Sequence, residues 1–387
     1  MSIPYWRLSA LYFFYFASVG AFVPYWSLYL KQCGFNPAEI GQLSALMLST
    51  KILAPNVWGW IADHTGKSVR MIRLASILAA ILFAGYIWVQ TYVWFAVLTV
   101  TFSFFWNAVL PQFEAITLYH LKAQAYRYSQ IRLWGSVGFI VAVLVLGWVF
   151  EQQSIQSLVY CLLGLLVLSA ITTLTTPEAK LNNLEATNLK LLPILKKPAV
   201  VMFLLVNILV QTSHAPYYVF YSIYLKQHQY GSTLIGGLWA LGVVAEIGLF
   251  MVMKPLLTRF SLRAILLMSL FLASVRWLLI AWFPEQLPVM LLAQLFHAAT
   301  FGGTHVVAIH FVHQYFGEQH QGKGQAIYNS LSFGVGGVIG SFYSGHYWES
   351  LGGNIVFSVA SACCMLAFLC AYFGIGRKNK QLKQVLG

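Results

Sequence analysis

Charge is scarce in this chain. Of 387 residues only 9% are Asp, Glu, Lys or Arg, whereas 59% are hydrophobic. A soluble domain carries about 25% charged residues, so the composition excludes a soluble globular protein and points to an integral membrane protein. Long polar stretches are also missing. The longest runs from Pro177 to Pro198, which leaves no room for a sizeable soluble domain. Cysteine pairs are missing too. Cys33, Cys161, Cys363, Cys364 and Cys370 form no CxxC motif, and four of them lie in apolar segments. That is the pattern of free, packed thiols. Acidic residues number only 10 against 23 basic ones, a net charge of +13. Such an excess suits nucleic acid when it clusters on a soluble surface, but here its placement argues otherwise.

What is present is apolar length. A spanning helix needs about 20 apolar residues. Twelve segments qualify: 8–30, 39–61, 70–90, 93–118, 131–150, 155–176, 199–225, 233–255, 262–283, 287–312, 325–347 and 353–375. The first is too long for a signal h-region and lacks a small-residue cleavage site, so it reads as a retained helix. The expected fold is therefore all-α and integral to the membrane, with twelve transmembrane helices. An even number of spans puts both termini on one side. The loops of that side hold 19 of the 23 basic residues, while the opposite loops hold only Lys31 and Lys226. The positive-inside rule then places both termini in the cytoplasm. The basic balance is a topology signal, and no nucleic-acid partner is expected.

The chain is duplicated. Adding 195 to residues 25–51 aligns them with 220–246 without a gap, and ten of the 27 positions are identical, among them Ser27/Ser222, Lys31/Lys226, Gln32/Gln227 and Gly41/Gly236. The expected organisation is a six-helix bundle over 1–176, a cytoplasmic linker over 177–198, a second bundle over 199–376 and a basic tail over 377–387. Repeated helical bundles with a midplane site are how secondary transporters are built.

Four charged residues fall inside apolar spans: Lys51, Glu114, Glu246 and Arg276. Each would cost about 2.5–3.5 kcal/mol on an insertion scale, so roughly 10–14 kcal/mol together if left unpaired. They must pair, face a wet cavity or neutralise. Lys51 and Glu246 are equivalent through the repeat and opposite in charge. Lys51 is a candidate to bind a substrate carboxylate, and the alternative is a Lys51–Glu114 structural pair. Glu246 and Arg276 read either as a functional pair, in coupling or in ligand contact alone, or as a static ion pair that fixes helix packing. Helix seven carries Asn207, Gln211, His214, Tyr218 and Tyr221 at spacings that share one face, with Pro216 expected to break the helix nearby. Helix ten adds His297, Phe301 and His305. The face of helix seven either lines a cavity or hydrogen-bonds to other helices. No metal site is expected: His305, His310 and His313 have neither Cys nor carboxylate beside them. The run Gly317–Lys323 has phosphate-loop spacing, but Gly324 stands where Ser or Thr is required and no strand precedes it, so a nucleotide motor is not expected. Neither a nucleophile–base constellation nor a soluble signalling segment is present, which argues against an enzyme or a receptor.

Gly59-Trp-Ile-Ala-Asp63-His-Thr-Gly66-Lys67-Ser-Val-Arg70 resembles the signature loop of the major facilitator superfamily, with its basic residues slightly displaced. The resemblance implies two six-helix bundles in that family's arrangement, with Gly59, Asp63, Gly66, Lys67 and Arg70 as a conformational latch. The runs Arg132–Gly138, Leu238–Glu246, Ser274–Trp277 and Gln294–Gly302 resemble the phenylpropionate-permease branch, which is related to the lactose permease and nucleoside symporters. This implies a proton-linked uptake carrier of a bacterial-type inner membrane. Glu246, Arg276 and His297 would act in proton coupling. Lys51, Glu114, Asn207, Gln211, His214, Tyr218, Tyr221, Phe301 and His305 would act in substrate binding. The substrate would be an aromatic or other small carboxylate, with a sugar or nucleoside as the alternative. The carrier would act as a monomer, driven by the proton gradient without a cofactor. The fifth helix reads Gly135-Ser-Val-Gly138 and lacks the glycine–proline run of drug–proton antiporters, which favours uptake over export.

Overall fold

The computed structural model describes residues 3–179 and 191–375, and of these all side chains but those at 63, 123, 125, 318 and 319. Most of the expected linker, including Lys180 and Lys190, and the basic tail from Arg377 lie outside the described residues. Among those described, every regular element is helical: α1 (Tyr5–Gln32), α2 (Pro37–Thr65), α3 (Ser68–Ala84), α4 (Tyr92–Leu121), α5 (Tyr128–Gln152), α6 (Leu158–Thr175), a short α7 (Leu192–Leu195), α8 (Pro198–Gln227), α9 (Ser232–Arg259), α10 (Leu262–Trp282), α11 (Leu287–His297), α12 (Thr304–Asn329) and α13 (Gly337–Gly374). Two π-helical stretches, Ala298–Gly303 and Ser330–Gly336, join α11 to α12 and α12 to α13.

Ten stretches of the described chain are long and apolar enough to cross a membrane. The last of them, His320–Gly374, is 55 residues long. It is divided by Gly352, whose φ of +82° suits glycine alone, just as Gly317 at φ +66° divides α12. α2 is not among the ten: Lys51 and Asn56 fall in the middle of its apolar run and dilute it. Counting α2, and the last stretch as two, gives the twelve spans expected from sequence. Large apolar side chains such as Leu53, Ile81, Trp94, Phe271 and Phe373 lie on the outside of the helices, as a hydrocarbon solvent requires.

The repeat is visible in helix ends. α1 ends at Gln32 and α8 at Gln227; α2 begins at Pro37 and α9 at Ser232. Both pairs differ by 195. Asn36 and Glu39 close a capping box on α2, with both reciprocal bonds at 2.9 Å.

By contact the chain forms two compact units. The first comprises Met1–Asn188, Tyr217–Ala240 and Ser341–Glu349, and the second Leu189–Pro216, Leu241–Gly340 and Ser350–Gly387. In the first, α1 and α5 cross at glycine: a methyl on Gly20 would lie 2.7 Å from Phe139 O, and one on Gly138 would run into Phe13 O. Such small-residue crossings are how helices approach in membranes. The same unit holds a carboxylate on a helix start. Glu151 at the end of α5 accepts a 3.0 Å bond from the Thr233 N–H in the first turn of α9, one of the donors a helix leaves unsatisfied. Glu151→Ala is expected to cost about 0.5–1 kcal/mol, the lower half of the usual range for a lost cap because the carboxylate is exposed. The readout is the thermal midpoint in detergent, and an unchanged midpoint would count against the cap.

The core of the second unit gathers Val200, Phe203, Val206, Leu266, Leu270, Phe311 and Ala367, with Phe203 and Phe311 stacked at 4.1 Å. One expectation is corrected here. Pro216 does not break its helix, since α8 is continuous from Pro198 to Gln227. Proline removes one N–H and crowds the carbonyl four residues back. That carbonyl belongs to Thr212, and Gly340 brings bare backbone against it, so a methyl there would collide with Thr212 O. The glycine-rich stretch before it also holds Thr212, whose hydroxyl donates to Gly336 O at 3.1 Å.

Candidate functional site

In the second unit the expected charges gather around the α11–α12 junction. Arg276 on α10 is fully buried. Its Nε donates to Ala293 O at 2.9 Å and its Nη1 to Thr300 Oγ1 at 3.3 Å. Its guanidinium lies 4.5 Å over the Trp277 ring, a cation–π contact worth about 2 kcal/mol when desolvated. His214 on α8 meets the same tryptophan edge-on at 5.0 Å, and its Nδ1–H donates to Val210 O at 2.8 Å.

Glu246 on α9 is half-buried. A methyl on Gly302 would lie 3.4 Å from its Cγ, so the acid packs against the π-helical stretch. One turn earlier on α9, a methyl on Gly242 would lie 3.3 Å from both Gln294 Oε1 and His297 Cδ2. His297, Phe301 and His305 stack in sequence with nearly parallel rings, at 5.5 and 6.2 Å. Phe301 also faces His214 at 6.5 Å. Thus Glu246, Arg276, His214, His297, Phe301 and His305 are all arranged along one short helical segment. π-Helical insertions are rare and frequently fall at functional sites.

The face of helix seven is put to mixed use. Asn207 turns its amide back to Phe203 O at 2.8 Å, and Gln211 packs at Gly336. Tyr218 and Tyr221 fall in the first unit with Tyr217, where Trp239 packs at a tilt against Tyr217 at 4.4 Å and donates to Ser222 Oγ at 3.0 Å.

In the first unit Glu114 accepts a 3.2 Å bond from Tyr128 Oη. Arg132, one turn on from Tyr128, lies 3.8 Å over the Phe16 ring. Lys51 and Glu114 do not pair. Among the described residues Lys51 has no hydrogen-bond or ion-pair partner. Its neighbour Thr50 instead joins a polar ladder: Asn107 Nδ2 donates to Thr50 Oγ1 at 2.8 Å, and Thr50 Oγ1 donates to Ser103 Oγ at 2.9 Å. A ring cluster of Tyr15, Phe22, Trp26, Phe102 and Trp106 surrounds the neighbouring turns of α1 and α4. Sequence reasoning missed Trp277, Thr300, Gln294, Tyr128 and Arg132. All but Tyr128 fall in the runs that carry the permease resemblance, but beyond that their signal is polarity or an aromatic ring near a charged span, which is too common to assign a role.

Of the latch residues, Gly66 closes α2 in the left-handed conformation with φ +64°, and Lys67 and Arg70 are exposed at the start of α3. Gly59 faces Gln112 on α4, and the Asp63 side chain lies outside the described residues. The basic residue that does make contacts here is Arg73. It donates to Thr173 O, Thr176 O and Glu178 at 3.2, 2.9 and 3.2 Å, closing the end of α6 as a cation at a helix C-terminus should.

Residues 5–359 match the MFS_1 like family, and the chain belongs to it: it is a multi-pass membrane transporter of the major facilitator type, not an enzyme. Among its relatives, the Escherichia coli protein named "Probable 3-phenylpropionic acid transporter" is 30% identical over 369 residues, covering 92% of this chain and 95% of that one. The maltose permease of Geobacillus stearothermophilus is 28% identical, covering 92% and 91%. Among solved structures, the nucleoside transporter NupG superposes with a TM-score of 0.85 over 98% of this chain and 100% of its own, at 16% identity, which bears on the fold alone.

Proposed function

We propose that this transporter is a proton symporter that imports a small organic carboxylate, aromatic or of similar size, by alternating access. One observation carries the reading: an acid, Glu246, and a base, Arg276, both within apolar spans, meet the same π-helical stretch with two imidazoles beside them. A carrier must not drag an uncompensated charge through a low-dielectric barrier. Glu246 takes up a proton when Arg276 is drawn away and gives it up when the pair re-forms, so proton and solute move together. Lys51 supplies the cation for the carboxylate, and the carboxylate class is supported by the 30% identity to the protein named "Probable 3-phenylpropionic acid transporter". Glu114, Asn207, Gln211, Tyr218 and Tyr221 complete the substrate path. In this reading the carrier is a monomer in a bacterial-type inner membrane, with cytoplasmic termini and the proton gradient as its only energy source.

Adding 3-phenylpropionate to proteoliposomes is expected to alkalinise the medium, and Lys51→Ala is expected to lower its uptake about tenfold or more, the loss that follows when a desolvated charge pair loses one partner. Accumulation with no proton movement would overturn symport, and Lys51→Ala with full uptake would overturn the carboxylate role. Lactose, maltose and a nucleoside complete the panel. A response to maltose alone would favour sugar symport, the second reading, which the 28% identity to a maltose permease supports.

A further inference from the structure

We infer that Thr300 is a positioning residue for Arg276, and that the π-helical stretch Ala298–Gly303 is the part that couples Arg276 to Glu246; the inference rests on the symport reading above. The stretch lies between two helices. Thr300 and Gly303, three residues apart, face α10: Thr300 Oγ1 accepts from Arg276 Nη1, and a methyl on Gly303 would collide with Ser269 Oγ. Gly302, two residues from Thr300 and so on roughly the opposite face, fronts α9, where a methyl would lie 3.3 Å from Leu249 Cδ2 and 3.4 Å from Glu246 Cγ. His297 is on the α9 side as well, against Gly242. Any shift of this stretch therefore moves the surroundings of Arg276 and Glu246 together.

Thr300 is suited to the task. It is fully buried, and its hydroxyl donates to His297 O at 3.3 Å while accepting from the guanidinium. A hydroxyl has one hydrogen and two lone pairs, so it can bridge backbone and cation at once. The second tether of Arg276, to Ala293 O, lies on the regular helix before the π-helical stretch. Arg276 thus spans the junction, with one donor on each side of the register change. Losing the hydroxyl would remove the bond that ties the guanidinium to the stretch that Glu246 touches, while the bond to Ala293 O on the α-helical side stays.

The test uses purified full-length protein in proteoliposomes, with whichever of 3-phenylpropionate, maltose or a nucleoside the wild type accumulates. Thr300→Val keeps the shape, Thr300→Ala cannot overpack, and Thr300→Ser keeps the hydroxyl. Val and Ala are expected to lower proton-driven accumulation about tenfold, with counterflow exchange within about threefold of wild type, and Ser is expected to restore accumulation. Exchange measures folded, substrate-competent protein, so a variant that merely misfolds loses both activities together. That joint loss in both Val and Ala would overturn the positioning role, as would accumulation at the wild-type level in either. A wild type that moves no protons with solute would instead remove the symport reading, and this inference with it.

Discussion

Glu246→Gln is expected to abolish accumulation of solute against its gradient while leaving equilibrium exchange within a few-fold of wild type. Glutamine keeps the size of the side chain and its packing at Gly302, but it cannot release a proton. Exchange needs only the loaded carrier to cycle, and a neutral amide stands in for the protonated acid. Net uptake also needs the empty carrier to return, which requires the acid to discharge. With the amide fixed as neutral, Arg276 must return without its counter-charge. At about 2.5–3.5 kcal/mol for an unpaired charge, and 1.4 kcal/mol per decade, the return step slows by roughly two orders of magnitude. The measurement is uptake under an imposed pH gradient beside counterflow in the same vesicles. A static Glu246–Arg276 pair predicts a different outcome. Breaking it would leave a buried cation uncompensated in every state and cost about 3–5 kcal/mol of stability, so exchange and protein yield would fall together with uptake. Wild-type accumulation by Glu246→Gln would sink the coupling role.

The charged half of this site is legible in the sequence and the uncharged half is not. Arg276, Glu246 and Lys51 stand out because few charges occur in apolar spans and each has a known cost there. Thr300 and Trp277 carry no such penalty and look like ordinary residues of a membrane helix. The π-helical stretches are equally silent. Ala298–Gly303 and Ser330–Gly336 are uncharged and mix small residues with one phenylalanine each, and one extra residue in a turn leaves no mark on the hydrophobicity of such a span. Pro216 misleads for a related reason. The proline rule concerns its own helix, whereas the backbone packed on the crowded carbonyl comes from Gly340, more than a hundred residues away. Glu114 shows the same limit at closer range, since its partner Tyr128 lies on the next helix. The repeat, by contrast, reaches the sequence intact, because the same helix lengths and ends are used twice.

That repeat also yields the second large effect. Gly41 and Gly236 are equivalent at the 195 offset, and in the first unit each lies where a helix of one half touches the other half. A methyl on Gly41 would lie 2.7 Å from Gly345 Cα and 2.6 Å from Ser341 O; reciprocally, a methyl on Gly345 would lie 2.7 Å from Gly41 Cα. A methyl on Gly236 would lie 2.7 Å from Tyr25 Oη and would run into Val143 O, the carbonyl that Tyr25 bonds at 2.6 Å. In each case the obstacle includes backbone, which cannot rotate out of the way. Gly41→Val and Gly236→Val are therefore each expected to destabilise this packing by about 1–3 kcal/mol, the usual cost of overfilling a close contact. That corresponds to a factor of roughly 5–150 in the population of the conformer that contains it. An alternating carrier must form and release such contacts once per cycle, so turnover per folded molecule is expected to fall about tenfold or more. Gly237→Val is the control. It adds the same side chain one residue away from Gly236, where nothing lies within 4 Å of the new carbon, and it is expected to stay within about twofold of wild type. If all three valine variants turn over alike, the glycines at 41 and 236 serve helix packing in general and not the contact between the halves. If only Gly237→Val is spared, the duplicated glycine marks the pair of contacts, one from each half, that the transport cycle has to open.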